Sequence, residues 1–138
     1  MKKFNFKKIL SATLVAGSLA TIVGVQTTQA AYDYNYVFNA MGGADTTYYA
    51  KKYSASSVQQ NINSWTNRGE NFNAWVTARN SSKAMSKTVN FDDSDIGKAY
   101  YFSNYVYENY GITDCRINAT MSSNWASSTV YGTWKPDR

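Results

Sequence analysis

The sequence predicts a mainly β protein: a small antiparallel β-sandwich or barrel-like domain with one or two short helices at most. Three observations predict it. Beyond residue 30 the chain has no Leu, yet all 12 Tyr and all four Trp fall there, and Tyr, Trp, Thr, Val and Phe favour strands. Apolar residues recur with period two in several short runs. Turn-rich segments separate these runs at sandwich-like spacing, and no long helical periodicity competes with them.

Residues 1–30 read as a secretory signal peptide. Lys2, Lys3, Lys7 and Lys8 form a charged n-region, Ile9 to Val25 an uncharged h-region, and Thr28-Gln29-Ala30 a small-x-small cleavage site. The h-region is short and diluted by Ser, Thr and Gly, which favours a cleaved leader over a membrane anchor. What remains, 31–138, is one secreted domain with no transmembrane segment after removal of the leader. Four of the 14 basic residues lie in the leader and none of the nine acidic ones do. The mature chain is therefore close to neutral, and the formal charge of +5 is no argument for nucleic-acid binding.

Tyr34 to Met41 puts Tyr34, Tyr36, Phe38 and Ala40 on one face of a first strand, ended by a Gly42-Gly43 turn. Thr47 to Tyr53 reads as a second strand. Ser56 to Gly69 has two readings: Val58, Ile62 and Trp65 stand at helical spacing behind a Ser56-x-x-Gln59 capping box, but the Asn, Ser and Gln content suits an irregular strand. Phe72 to Ala78 alternates most cleanly and is the expected central strand. Ser86 to Phe91 comes next as another, with Val89 and Phe91 facing in. In Asp92 to Gly97 the series Asp93-x-Asp95-x-Gly97 is an incomplete calcium loop without a closing Glu, so a solvated turn is expected there, with Ser94 or Asp95 capping the next element. Lys98 to Gly111 is again two-valued. A stripe of Ile96, Ala99, Phe102, Val106 and Tyr110 favours a short helix stopped by Gly111; Tyr101, Tyr105 and Tyr107 would share one face of a strand.

The stretch Thr113 to Asp137 reads as a closing hairpin. Cys115, Ile117, Ala119 and Met121 alternate with polar residues, then Val130, Gly132 and Trp134 do the same across a Ser122-Ser123-Asn124 turn. Gly132 leaves room for a close neighbour, and Pro136 ends the pairing at about Lys135. Trp134 is an anchor of the core or of the sheet edge. Cys115 stands on the apolar face, which favours burial; as the lone thiol of a secreted chain it could otherwise link a dimer.

Much catalytic chemistry is absent. The chain has no His and one Cys, which rules out Ser–His and Cys–His pairs, His metal sites and thiolate zinc sites. No phosphate-cradling glycine loop is present, and no cofactor is expected. One enzymatic route would need Asp92, Asp93 or Asp95 brought by folding to Glu108. The remaining resource is a surface rich in Tyr, Trp, Asn, Ser and Thr, a mixture suited to binding. Trp75 and Tyr131, each on the polar side of its strand, are the outward candidates, with Trp134 the third binding candidate.

Two segments carry a resemblance. Asn104 to Gly111 (NYVYENYG) and the terminal Gly132-Thr133-Trp134-Lys135-Pro136-Asp137 together resemble a family of small secreted bacterial proteins of unknown function. Its members carry a signal peptide, a Y-V-Y-E segment and a terminal G-x-W-S-P-D; Lys135 stands here where that pattern has Ser. The resemblance implies export and a β-rich fold but no activity. A looser, compositional similarity is to lactococcin-type bacteriocins. The function expected is a small non-catalytic protein acting at the bacterial cell envelope in the manner of a bacteriocin, with a carbohydrate- or peptidoglycan-binding module as the alternative. The partner in either case is an envelope component or glycan.

Overall fold

The structure, a computed structural model, describes residues 29–67, 71–122 and 126–138. The expected leader lies outside the described residues except for its last two, as do Gly69 and the turn residues Ser123 and Asn124. The described chain runs β1 (Tyr32–Phe38), β2 (Gly43–Thr46), β3 (Ala50–Lys52), β4 (Val58–Thr66), β5 (Phe72–Ala78), β6 (Val89–Phe91), a 3-10 turn (Asp93–Asp95), β7 (Ala99–Phe102), α1 (Val106–Tyr110), β8 (Thr113–Met121) and β9 (Ser128–Lys135). One sheet has the order β1-β9-β4-β7; the other has β2-β8-β5-β6, with β3 also paired to β8. All the strand pairs are antiparallel. This is the expected β-sandwich, and it is not a closed barrel.

Alternation decides what meets between the sheets. Tyr34, Tyr36 and Phe38 of β1, Val130 and Trp134 of β9, and Val58, Ile62 and Trp65 of β4 are buried. They face Phe72, Ala74, Val76 and Ala78 of β5 and Cys115, Ile117, Ala119 and Met121 of β8. With Leu missing, rings fill the space. Phe72 is where the sheets meet: its ring lies 6.0 Å from Tyr36, 5.9 Å from Phe38, 5.1 Å from Trp65 and 5.1 Å from Phe91.

Several expectations are corrected. Residues 113–137 do not form a hairpin. β8 pairs with β2, β3 and β5, β9 pairs with β1 and β4, and the connection crosses from one sheet to the other. Alternation fixes the buried face of a strand but not its neighbour. Of the stretch 56–69, the described residues 56–67 contain strand β4 and no helix. Val58, Gln60 and Ile62 keep to period two, and a bulge between Ile62 and Ser64 moves the next buried residue to Trp65. One extra residue thus turns a strand pattern into an apparent helical one. The expected strand over 47–53 shortens to β3, because Thr47, Tyr48 and Tyr49 leave the ladder. Gly43 opens β2, and the turn closes through an Asn39–Gly42 bridge.

Residues 98–111 divide into β7 and α1, so both readings of that stretch hold in part. Gly111 stops α1 at φ +65°. The strand expected over 86–91 shortens to β6, leaving Ser86 in a single bridge to Asn104. Strand β7 follows the acidic turn, so Ser94 and Asp95 have no helix to cap there, and the turn itself is capped by Asp92. Its carboxylate accepts from Ser94 N at 2.8 Å, while Asp95 Oδ2 accepts from Asp92 N at 3.1 Å. These Ser94 hydrogen bonds hold the exposed Asp92 carboxyl below its usual range.

Candidate functional site

The terminal segment proves to be the scaffold. Trp134 is 1% exposed and packs 5.9 Å from the Tyr32 ring, so it fills the anchor role and presents no ring to a ligand. A side chain at Gly132 would overlap the Asn61 carbonyl and the Tyr34 ring, because Tyr34 crosses the glycine to donate to Asn61 O at 3.0 Å. Gln60 Nε2 donates back to the Tyr34 hydroxyl at 3.0 Å. Burial pushes the Tyr34 phenol well up, with the Gln60 hydrogen bond opposing. Gly132 and Trp134 thus each have a packing reason.

Asp137 completes the scaffold. Its carboxylate accepts from Lys52 Nζ at 3.1 Å, Tyr53 N at 2.7 Å, Ser54 Oγ at 2.8 Å and Ser56 Oγ at 2.9 Å. Lys52 is wholly buried and also donates to Pro136 O at 2.8 Å and to Ser56 O. Burial pushes the Asp137 carboxyl up, but the donors from Tyr53, Ser54 and Lys52 outweigh it and hold the group below its usual range. Cys115 stands in the same interior with no exposure. Burial pushes its thiol up to about 12, with Lys52 pulling the other way. A dimer through Cys115 would require the core to open.

The binding candidates separate onto opposite sheets. Tyr131 of β9 is 46% exposed on the outer face of the four-stranded sheet, opposite Asn35 and Ser64. Trp75 is half-buried on the outer face of the five-stranded sheet, opposite Asn118. Tyr131 borders a cleft.

That cleft has a structural cause. β1 and β2 are consecutive yet belong to different sheets, so the corner between them splays open beyond the Asn39–Gly42 turn. Asp33, Tyr34 and Asn35 of β1, Asp45 and Thr46 of β2, the loop residues Thr47 and Tyr48, and Tyr131 line the opening, which holds about 570 Å³. This lies within the range of small-ligand sites, roughly 300–1,000 Å³.

Asp45 holds the corner's shape. Its two oxygens accept from Val37 N at 2.8 Å and Thr46 N at 2.7 Å. Thr47 fixes the loop by exchanging hydrogen bonds with Ile117, N to O at 2.9 Å and Ile117 N to Oγ1 at 3.0 Å. Tyr48 is left 89% exposed, and Asp33 and Asn35 are exposed beside it.

The lining joins two exposed phenol rings to two carboxylates, an amide and threonine hydroxyls, with no basic residue. Such a set stacks on flat apolar ring faces and accepts from hydroxyl groups, and it repels anions. Sequence reasoning found Tyr131 but missed Tyr48, Asp33, Asn35 and Asp45. One signal was available: adjacent Tyr48 and Tyr49 in an extended chain point to opposite sides, so both cannot enter the core.

The carboxylates considered for catalysis stay apart from this cleft. Asp95 faces Lys98 at 3.7 Å in the exposed acidic turn, and Glu108 is exposed on α1. Among the described residues no cluster of three or more His, Cys, Asp or Glu could hold a metal ion, and no helix is long and apolar enough to cross a membrane. No curated protein and no solved structure matches the chain. Residues 21–138 match the model of a family described as protein of unknown function (DUF2712), and the chain belongs to that family.

Proposed function

We propose that this protein is a secreted, non-catalytic module that binds a glycan of the bacterial cell envelope in the cleft between β1 and β2. The observation that carries the reading is the pairing of exposed Tyr48 and Tyr131 with Asp33 and Asn35 around one opening. Sugar rings offer an apolar C–H face to aromatic rings and hydroxyls to carboxylate and amide groups, and this lining supplies both. The charged n-region, h-region and small-residue cleavage site support export. The lack of His and the single Cys support a role in binding rather than catalysis.

A bacteriocin-like action is the more specific form of the same idea. It is supported by the aromatic, polar composition. It requires that envelope binding be followed by growth arrest.

One experiment tests both. Purified residues 31–138, which contain every described strand, are incubated with insoluble peptidoglycan and with whole cells of related bacteria. Sedimentation with the wall, lost on Tyr131→Ala, supports the glycan module; growth arrest in addition supports the bacteriocin-like action. No sedimentation at micromolar protein overturns the envelope reading.

A further inference from the structure

We infer that the outer face of the five-stranded sheet is a second binding surface, which takes a phosphodiester polymer. Lys51 on β3 stands opposite Asp114 on β8, and Arg79, just after β5, reaches the same carboxylate with Nη1 at 3.1 Å from Oδ2. In the next row Arg116 of β8 stands opposite Thr77. The guanidinium carbons of Arg79 and Arg116 each lie 4.8 Å from the centroid of the Tyr49 ring. Lys51, Arg79 and Arg116 thus share one face with Asp114, which is ion-paired to Arg79, and no other carboxylate occupies a paired position on this face.

Two like charges fixed on one ring repel each other, and a multivalent anion between them relieves that repulsion. Guanidinium groups suit phosphate because their planar donors match its oxygens in pairs. Arg116 Nε is buried with no hydrogen-bond partner among the described residues, and its guanidinium carbon stands over the Tyr49 ring. Trp75 lies on the same face, opposite Asn118, and Asn118 Nδ2 donates to Thr77 Oγ1 at 2.9 Å. The face therefore has a cationic end and a half-buried ring on one sheet, with Thr77 and Asn118 buried between them. A bilayer would require apolar side chains that project and insert. A pleated face with a half-buried Trp instead suits a chain of phosphodiesters lying along it.

None of Lys51, Arg79, Arg116 and Trp75 lines the cleft, so the two surfaces stand or fall separately.

The test measures binding of the purified chain to poly(glycerol phosphate) across a salt series. Affinity should fall steeply with salt. Arg116→Gln and the exposed Lys51→Gln should each weaken binding about tenfold, the worth of one charge-assisted contact. Asp114→Asn should tighten it by a similar factor, and Tyr131→Ala should leave it unchanged. Phosphatidylglycerol vesicles should bind more weakly than the polymer at the same phosphate concentration. No binding of the polymer, equal binding by the Lys51 and Arg116 variants, or a preference for the vesicles would each overturn the inference.

Discussion

Lys52 Nζ lies 3.1 Å from Asp137 Oδ1, and the lysine side chain has no solvent exposure. Asp137 therefore neutralises a charge in the interior. Breaking a buried pair from one side leaves the other charge uncompensated and costs about 3–5 kcal/mol. Asp137→Ala should show a loss of that size in urea unfolding. Lys52→Met should cost less, because it removes the wholly buried charge, while the Asp137 carboxylate left behind is partly exposed and still accepts from Tyr53 N, Ser54 Oγ and Ser56 Oγ. A loss below about 1 kcal/mol for Asp137→Ala, the range of exposed pairs, would mean that the pair is solvated.

The same carboxylate sets an acid limit. Its folded pKa is depressed, so below its ordinary value of about 3.9 the unfolded state binds more protons. The stability from Asp137 is fully present above that value and is lost as pH falls through the lower, folded pKa. Urea midpoints should drop below about pH 4, and the drop should be smaller in Asp137→Asn. Equal slopes in the two proteins would assign acid sensitivity to other groups.

Gly132 tests the role given to the terminal segment. A methyl group there meets the Asn61 carbonyl and the Tyr34 ring, and backbone cannot yield as a flexible side chain does. Gly132→Ala should destabilise by about 1–3 kcal/mol or more, the usual cost of overpacking. Wild-type stability would mean that Tyr34 does not cross the glycine in solution.

Burial and the raised pKa of Cys115 make its thiol unreactive, since the thiolate is the attacking species. Iodoacetamide should not label the folded protein at neutral pH, should label it in urea, and a non-reducing gel should show monomer. Labelling at the rate of an unstructured peptide would contradict the placement of Cys115 in the core.

The sandwich was legible wherever local pattern and tertiary role agree. Phe72 to Ala78 alternates because β5 lies between β8 and β6 with one face on the core, and its bounds were read directly. The pattern misled where one residue altered the phase: the bulge after Ile62 placed Trp65 at helical spacing. It was silent where the decision lies between strands. Nothing in Thr113 to Asp137 tells that β8 and β9 belong to different sheets, and nothing in Lys52 tells that a lysine is buried. The cleft was half legible for the same reason. Tyr131 shows itself on the polar side of its strand, but Tyr48 and Asp33 join it only through the splayed corner of β1 and β2.

The central claim is that the cleft binds envelope glycan, and Tyr131 tests it most directly. Its ring is exposed and outside the core, so Tyr131→Ala should keep the wild-type thermal midpoint. The measurement is the affinity of wild type and Tyr131→Ala for insoluble peptidoglycan by co-sedimentation. Loss of one stacking ring is worth about 1 kcal/mol or slightly more, so the variant should bind roughly tenfold more weakly. Equal sedimentation of the two proteins, repeated with Tyr48→Ala, would contradict the account and leave the cleft without a role in envelope binding.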